Sequence, residues 1–181
     1  MKVKINTNIH RDLIEQCKEG KRASQYQLYN KYADAMYNVS LNMLKNHHDA
    51  EDVLQLSFSK AFNHIADFNY TSTFGAWLKR IVINNSINSL RAKKVSYVHV
   101  DEVHQIPEEG QREKLSFPYS VDAVKSAILK LPDGYRIVLT LYLLEGYDHV
   151  EIAELLGVAI STSKTQYSRA KKKLKQILNN G

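Results

Sequence analysis

Two stretches of this chain place basic and polar side chains at helical spacing, where they could hold a phosphate backbone and read base edges. The first is residues 148–178, DHVEIAELLGVAISTSKTQYSRAKKKLKQIL. At roughly 100° per residue, Thr162, Thr165, Arg169, Lys172 and Gln176 share one side of a helix, with Ser161 and Ser168 at its edge. Hydroxyl, amide and guanidinium groups are the types that reach phosphates and bases. Ser163, Tyr167, Ala170, Leu174, Ile177 and Leu178 fall on the opposite, burial side. From residue 160 to the end the chain carries Lys164, Arg169, Lys171, Lys172, Lys173 and Lys175 and no acid. A merely solvated helix mixes the signs. A single-sign stripe is the electrostatic footprint of nucleic-acid contact.

The second stretch is residues 67–94, DFNYTSTFGAWLKRIVINNSINSLRAKK. On a helical wheel Phe74, Trp77, Leu78 and Ile81 share a face, and Lys79, Arg80, Arg91, Lys93 and Lys94 spread over the other. Trp77 at this spacing reads as core. Asn84, Asn85 and Asn88 are poor helix formers, which points to surface use or polar packing. The preceding loop, residues 68–73, mixes aromatic, amide and hydroxyl groups. That combination suits a single strand, because rings stack on unpaired bases, amides read their edges and cations hold the backbone.

A third cluster is acidic. Asp49, Glu51 and Asp52 open a helix, where they complement its dipole. Beside them Gln55, Leu56 and Ser59 fall outside the apolar stripe of Ala50, Val53, Leu54, Ser57, Phe58, Ala61, Phe62 and Ile65. An exposed Leu56 among carboxylates reads as a protein-docking patch. His47 and His48 lie one turn from Glu51 and Asp52, but a closed zinc site needs four ligands, and no metal or other cofactor is expected.

The elements that must position these groups are almost all helical. Asp148 with Glu151 three residues on is an aspartate form of the capping box, and Gly157 supplies a tight turn. Helix, glycine turn and longer basic helix make a helix-turn-helix. Upstream, the periodicity predicts helices over residues 9–19, 22–44, 46–66 and 72–91. Downstream it predicts 121–130, 135–144, 149–156 and 161–178. The second is expected to bury Tyr26, Tyr29, Ala33, Met36, Tyr37, Ser40 and Leu44, and Asp133 is expected to cap the sixth.

The fold class expected is therefore all-α: two small helical domains joined by a flexible linker, the C-terminal one a helix-turn-helix. The boundaries are 1–94, 95–119 and 120–181. Net charge is +6 over the first, −3 over the linker and +3 over the last, so two basic blocks flank an acidic connector holding two of the three prolines. A single cysteine, Cys17, excludes an intrachain disulfide. No apolar run is long enough to span a bilayer and no signal core opens the chain, so a cytoplasmic protein is expected. No phosphate-binding glycine fingerprint or nucleophile elbow indicates an enzyme or a small-molecule substrate.

Several strings occur in one order. They are DAEDVLQLSFSKAF at 49–62, the pattern F-x-Y-x-S-x-F-G-A-W-L-K-R-I-x-x-N at 68–84, L-P-x-x-x-R at 131–136 and EGYDHVEIAELLG at 145–157. Together they resemble the sigma-70 family of bacterial transcription initiation factors, in particular its small extracytoplasmic-function group. The resemblance covers residues 12–178. It implies a non-catalytic initiation subunit that binds core RNA polymerase and directs promoter-specific initiation.

On the resemblance, Asp49, Glu51, Asp52, Gln55 and Phe58 match the segment that docks on the clamp helices of the largest polymerase subunit. Phe68, Asn69, Tyr70, Ser72 and Thr73, with Lys79, Arg80, Asn84, Asn88 and Arg91, match the part that melts the −10 element and captures a flipped base. Ser161, Thr162, Thr165, Gln166, Arg169 and Lys172 match the duplex −35 reader, in the unit that also meets the polymerase flap. The linker matches the segment threading the polymerase near its RNA exit path. An anti-sigma factor, often membrane-anchored, is a further partner the group implies.

Two positions depart from the family pattern. Ala159 stands where a serine cap is usual, so Ser161 is expected to cap the last helix. Ser163 stands at an aliphatic core position, where its hydroxyl is expected to bond a carbonyl one turn back. On that basis Ser163→Val should be neutral or stabilising.

The residues alone leave two other readings open. One is a stand-alone helix-turn-helix regulator. The other is a metal-dependent hydrolase using His47, His48, Glu51 and Asp52.

Overall fold

The computed structural model describes residues 9–93 and 119–180, and every element in them is a helix or a helical turn. The chain divides into two units, with the boundary between Lys93 and Lys94. The predicted linker, 95–119, lies outside the described residues except for Tyr119.

The first unit holds α1 (Arg11–Lys18), α2 (Arg22–Leu44), α3 (His47–Asn63), a 3-10 turn at Ile65–Asp67, and α4 (Phe74–Ala92). α2, α3 and α4 pack on one another, and α1 lies against α2 and the 3-10 turn. Leu28, Met43 and Leu78 are wholly buried where these helices meet. Each such side chain contributes about 1.5–3 kcal/mol relative to exposure, an upper figure because unfolded chains bury some of it. Ser40, Ser57 and Ser86 are also wholly buried. Their small side chains let the helices approach, and each hydroxyl is satisfied, Ser40 and Ser57 by hydrogen bonds at 3.2 Å to Ala50 O and 2.6 Å to Val53 O. Ser86 bonds Val82 O at 2.9 Å.

Local signals set the helix ends. Asn46 Oδ1 accepts from Asp49 N at 3.1 Å and starts α3. Lys45 turns the chain there in the left-handed region, φ 63°, without a glycine. α4 starts two residues later than its periodicity predicts, because Thr73, not an earlier residue, accepts from Ala76 N. Met36, Ser40 and Leu44 of the expected α2 stripe are buried, joined by Leu28, Val39 and Met43, whereas Tyr26 is 67 % exposed and off it.

The second unit comprises α5 (Val121–Leu129), α6 (Asp133–Leu139) widening into a π-helical turn at Thr140–Leu144, α7 (His149–Leu156) and α8 (Ile160–Asn179). α5, α6 and α7 all pack on α8. Asp133 does not cap α6: Pro132 holds that position, and Asp133 pairs with Arg136 at 2.6 Å. Arg136, 1 % exposed, also donates to Leu131 O at 3.2 Å. Its guanidinium thus ties the end of α5 to the start of α6.

Candidate nucleic-acid interface

In the second unit the helix-turn-helix forms as its residues dictate. Glu151 N donates to Asp148 Oδ1 at 2.8 Å, and Asp148 N donates to Glu151 Oε2 at 2.9 Å, the reciprocal capping box. Gly157 at φ 70° ends α7 in the left-handed conformation a side chain would resist. α8 begins at Ile160 with Ala159 at the cap position and no side-chain cap, so Ser161 does not cap it. Ser161, Thr165 and Lys172 are exposed and Thr162 and Arg169 half-buried along one side of α8.

Gln166 is corrected. It is 4 % exposed and therefore not on that surface. α8 packs against α5, α6 and α7, and its buried arc includes this amide. Ser163 is wholly buried as expected, but its partner is a side chain. His149 Nδ1 lies 2.9 Å from its Oγ, not a carbonyl one turn back.

In the first unit, Arg80, Asn84, Asn88 and Arg91 are exposed at four-, four- and three-residue steps along α4, forming one polar line. Lys79 is half-buried beside it. Asn85 differs from its neighbours. It is 5 % exposed, accepts from Lys60 Nζ at 2.8 Å and donates to Ser57 Oγ at 2.9 Å, a polar bolt between α3 and α4. Gly75 lies where a Cβ would come within 3.0 Å of the Tyr32 ring, so glycine lets the first turn of α4 approach α2.

The loop before α4 has a buried anchor and a polar rim. Phe68 is corrected from a stacking platform to an anchor: it is 2 % exposed and packs on Phe74 and Trp77 at 5.7 and 5.3 Å. Asn69 is exposed, its Oδ1 accepting from Thr71 N and Oγ1 at 3.2 and 2.8 Å. Ser72 is half-buried and Thr73 exposed. Tyr70 is half-buried at φ 63°, and its hydroxyl donates to Glu15 Oε1 at 2.5 Å. Burial, and next the bond to Glu15, push its phenol up to about 12. That bond in turn is the main cause holding the Glu15 carboxyl below its ordinary range. The α1 residues Arg11, Glu15 and Lys18 around Tyr70 carry no signal in linear spacing, being over fifty positions away.

On α3, Glu51, Asp52 and Gln55 are exposed, and Leu56 beside them is 47 % exposed. Phe58 lies behind this face and not on it: it is 3 % exposed and packs against Tyr29 and Phe62. Asp49 is engaged within the chain, accepting from Lys93 Nζ at 2.5 Å. A groove between α3 and α4 is lined by Asp52, Leu56, Lys60 and Asn88. His47 Nδ1 lies 2.6 Å from the Tyr37 hydroxyl and His48 is 3.9 Å from Asp52. Among the described residues no three metal-ligating side chains converge. None of their helices is long and apolar enough to cross a membrane.

Comparison with known proteins follows the same division. Residues 28–95 match the model of sigma-70 region 2, and residues 122–174 that of sigma-70 region 4. The chain is 32% identical over 177 residues to the ECF RNA polymerase sigma factor SigW of Bacillus subtilis, covering 91% of this chain and 94% of that one. It is 28% identical over 156 residues to SigM of the same organism, covering 86% and 95%. Among solved structures it is similar to the sigma factor RpoE of Bartonella quintana, seen in complex with the anti-sigma factor NepR. There the TM-score is 0.54 and the identity 23%, over 85% of this chain and 96% of that one.

Proposed function

The chain belongs to the sigma-70 family of RNA polymerase sigma factors, in the extracytoplasmic-function group, and on that premise we propose how its residues divide the work of initiation. Docking on core polymerase falls to the exposed acidic face of α3, Glu51, Asp52 and Gln55, with Leu56 as its apolar centre. Asp49 contributes by holding α3 to the end of α4 through Lys93.

Promoter opening falls to the loop and α4. Asn69, Ser72 and Thr73 line the loop rim, and Lys79, Arg80, Asn84, Asn88 and Arg91 follow the strand. Unstacking a base costs a few kcal/mol, which stacking and hydrogen bonding in a fitted site offset, so opening needs no nucleotide hydrolysis. The protein acts as a non-catalytic subunit in the cytoplasm. Duplex recognition falls to Ser161, Thr162, Thr165, Arg169 and Lys172 on α8, whose region 4 unit also meets the polymerase flap. The linker and the two-domain boundaries of 1–94 and 120–181 complete this reading, with an anti-sigma factor as the partner that holds the free protein.

The observation that carries the proposal is the pairing, within one chain, of a buried-aromatic, polar-rimmed loop on a cationic helix with a capped helix-turn-helix. A stand-alone regulator would need only the second. The test is transcription from a random promoter library by core polymerase with and without the chain. Transcripts that share two sequence elements at fixed spacing and depend on the chain are expected. Chain-independent transcription, or none, would overturn the proposal.

A further inference from the structure

The loop that leads into α4 is held from outside as well as by its own Asn69–Thr71 bonds. Tyr70 sits in the left-handed region that side chains resist, and contacts from beyond the loop favour it there. That support comes from α1. Glu15 Oε1 accepts the Tyr70 hydroxyl at 2.5 Å, and Lys18 Nζ donates to the Phe68 carbonyl at 3.1 Å. Arg11 Cζ and Lys18 Nζ lie 5.0 and 4.7 Å from the centroid of the Tyr70 ring, in cation–π range. The Phe68 ring is 4.8 Å from the same ring.

α1 is itself fixed. Ile14 and Cys17 are 3 % and 2 % exposed, and Gln16 Oε1 accepts from Ser24 Oγ of α2 at 2.6 Å. A short, well-packed strut therefore reaches across to the loop at three points.

We propose that α1 positions the promoter-opening loop, with Glu15 and Tyr70 as positioning residues that present Asn69, Ser72 and Thr73 in one arrangement to the unpaired strand. This rests on the sigma-factor reading above. It also gives Glu15 a purpose. A carboxylate beside a phosphate-binding surface repels the ligand, so on charge alone its removal would tighten binding. If Glu15 positions the loop, its removal weakens binding instead. The two views predict opposite signs.

The test uses holoenzyme assembled from the full chain and core polymerase. The probe is a fluorescent single-stranded oligonucleotide carrying the non-template −10 region of a promoter recovered from the library. Glu15→Ala and Tyr70→Phe should each weaken its binding about fivefold, the loss of one hydrogen bond to a charged group at a partly exposed site. Each should also flatten discrimination against strands with a changed −10 base, which a mere loss of fold stability would not do. The double variant should be no worse than either single one, because both remove the same bond. Binding to core polymerase should stay at the wild-type level.

Tighter binding by Glu15→Ala would overturn the proposal. So would wild-type binding by Tyr70→Phe, since the hydroxyl bond to Glu15 would then position nothing. If the wild-type chain opens no promoter in the library, the functional reading itself has failed, and this inference with it.

Discussion

His149 Nδ1 lies 2.9 Å from Ser163 Oγ, joining the first residue of α7 to a wholly buried position in the reading helix α8. The same imidazole stacks on Tyr142 at 4.6 Å and meets Tyr167 edge-on at 5.5 Å. Tyr142 reaches it from the π-helical turn after α6. A polar contact thus closes the helix-turn-helix at the end where α8 lacks a side-chain cap.

Ser163→Val should therefore destabilise, contrary to what the sequence alone leads one to expect. Removing one partner of a part-buried hydrogen bond costs about 1 kcal/mol and leaves the imidazole nitrogen unsatisfied. The cost should shrink in a His149→Phe background, since the bond is already gone there. Urea denaturation of the four proteins measures this. An unchanged midpoint for Ser163→Val would show the bond to be dispensable.

Stability should also fall with acid through His149. Burial chiefly, and the nearby Lys164 next, lower its pKa, with Asp148 opposing. The unfolded imidazole, near 6.5, then binds a proton before the folded one as pH falls. In that interval the unfolded state holds more protons, so stability rises with pH. His149 thus contributes fully above the unfolded value, and the contribution is lost as pH drops to the folded one. His10 is lowered in the same direction, by burial and then Lys31. Denaturation midpoints for wild type and His149→Gln from about pH 7.5 to 5 separate the two histidines. Identical acid losses in both would exclude His149 as a source.

Asn85 and Asn84, adjacent on α4, should behave oppositely. Asn85→Ala removes the group bonded to both Lys60 and Ser57 and should cost about 2 kcal/mol of stability. Asn84→Ala, on the exposed side, should change stability by less than about 0.5 kcal/mol and weaken binding to single-stranded −10 DNA. Thermal melts paired with anisotropy decide it, and equal melting losses would contradict the assignment.

Lys172 and Thr165 test the reading helix. Lys172→Ala should weaken duplex binding by a similar factor on every sequence and lower the salt-dependence slope by about 1. Thr165→Ala should leave that slope alone and relax preference at one base position. Binding isotherms at several salt concentrations, on matched and mismatched −35 duplexes, give both quantities. A sequence-selective effect of Lys172→Ala would mean it reads a base.

Much of this molecule is local physics and is legible in the sequence. The Asp148–Glu151 box and the Gly157 turn act over three or four residues of their own chain, and each forms as its residues dictate. The apolar stripe of α3 is buried along its length apart from a half-buried Phe62, because α2, α4 and the 3-10 turn bury one regular face. Family membership was legible too, since it rests on the order of short strings.

What the sequence could not decide is how wide each buried arc becomes and which distant residues meet. A helical wheel assigns every residue an angle but does not say how many neighbours will pack around it. Three helices cover α8, so Gln166 goes inward, and Phe68 is drawn into an aromatic cluster beneath the loop it seemed to offer. The Glu15–Tyr70 and His149–Ser163 bonds join different elements. Helical periodicity reports only neighbours on one helix. Such pairs exist only once the helices have packed, and they are where the tertiary structure changed the roles of Tyr70 and Ser163.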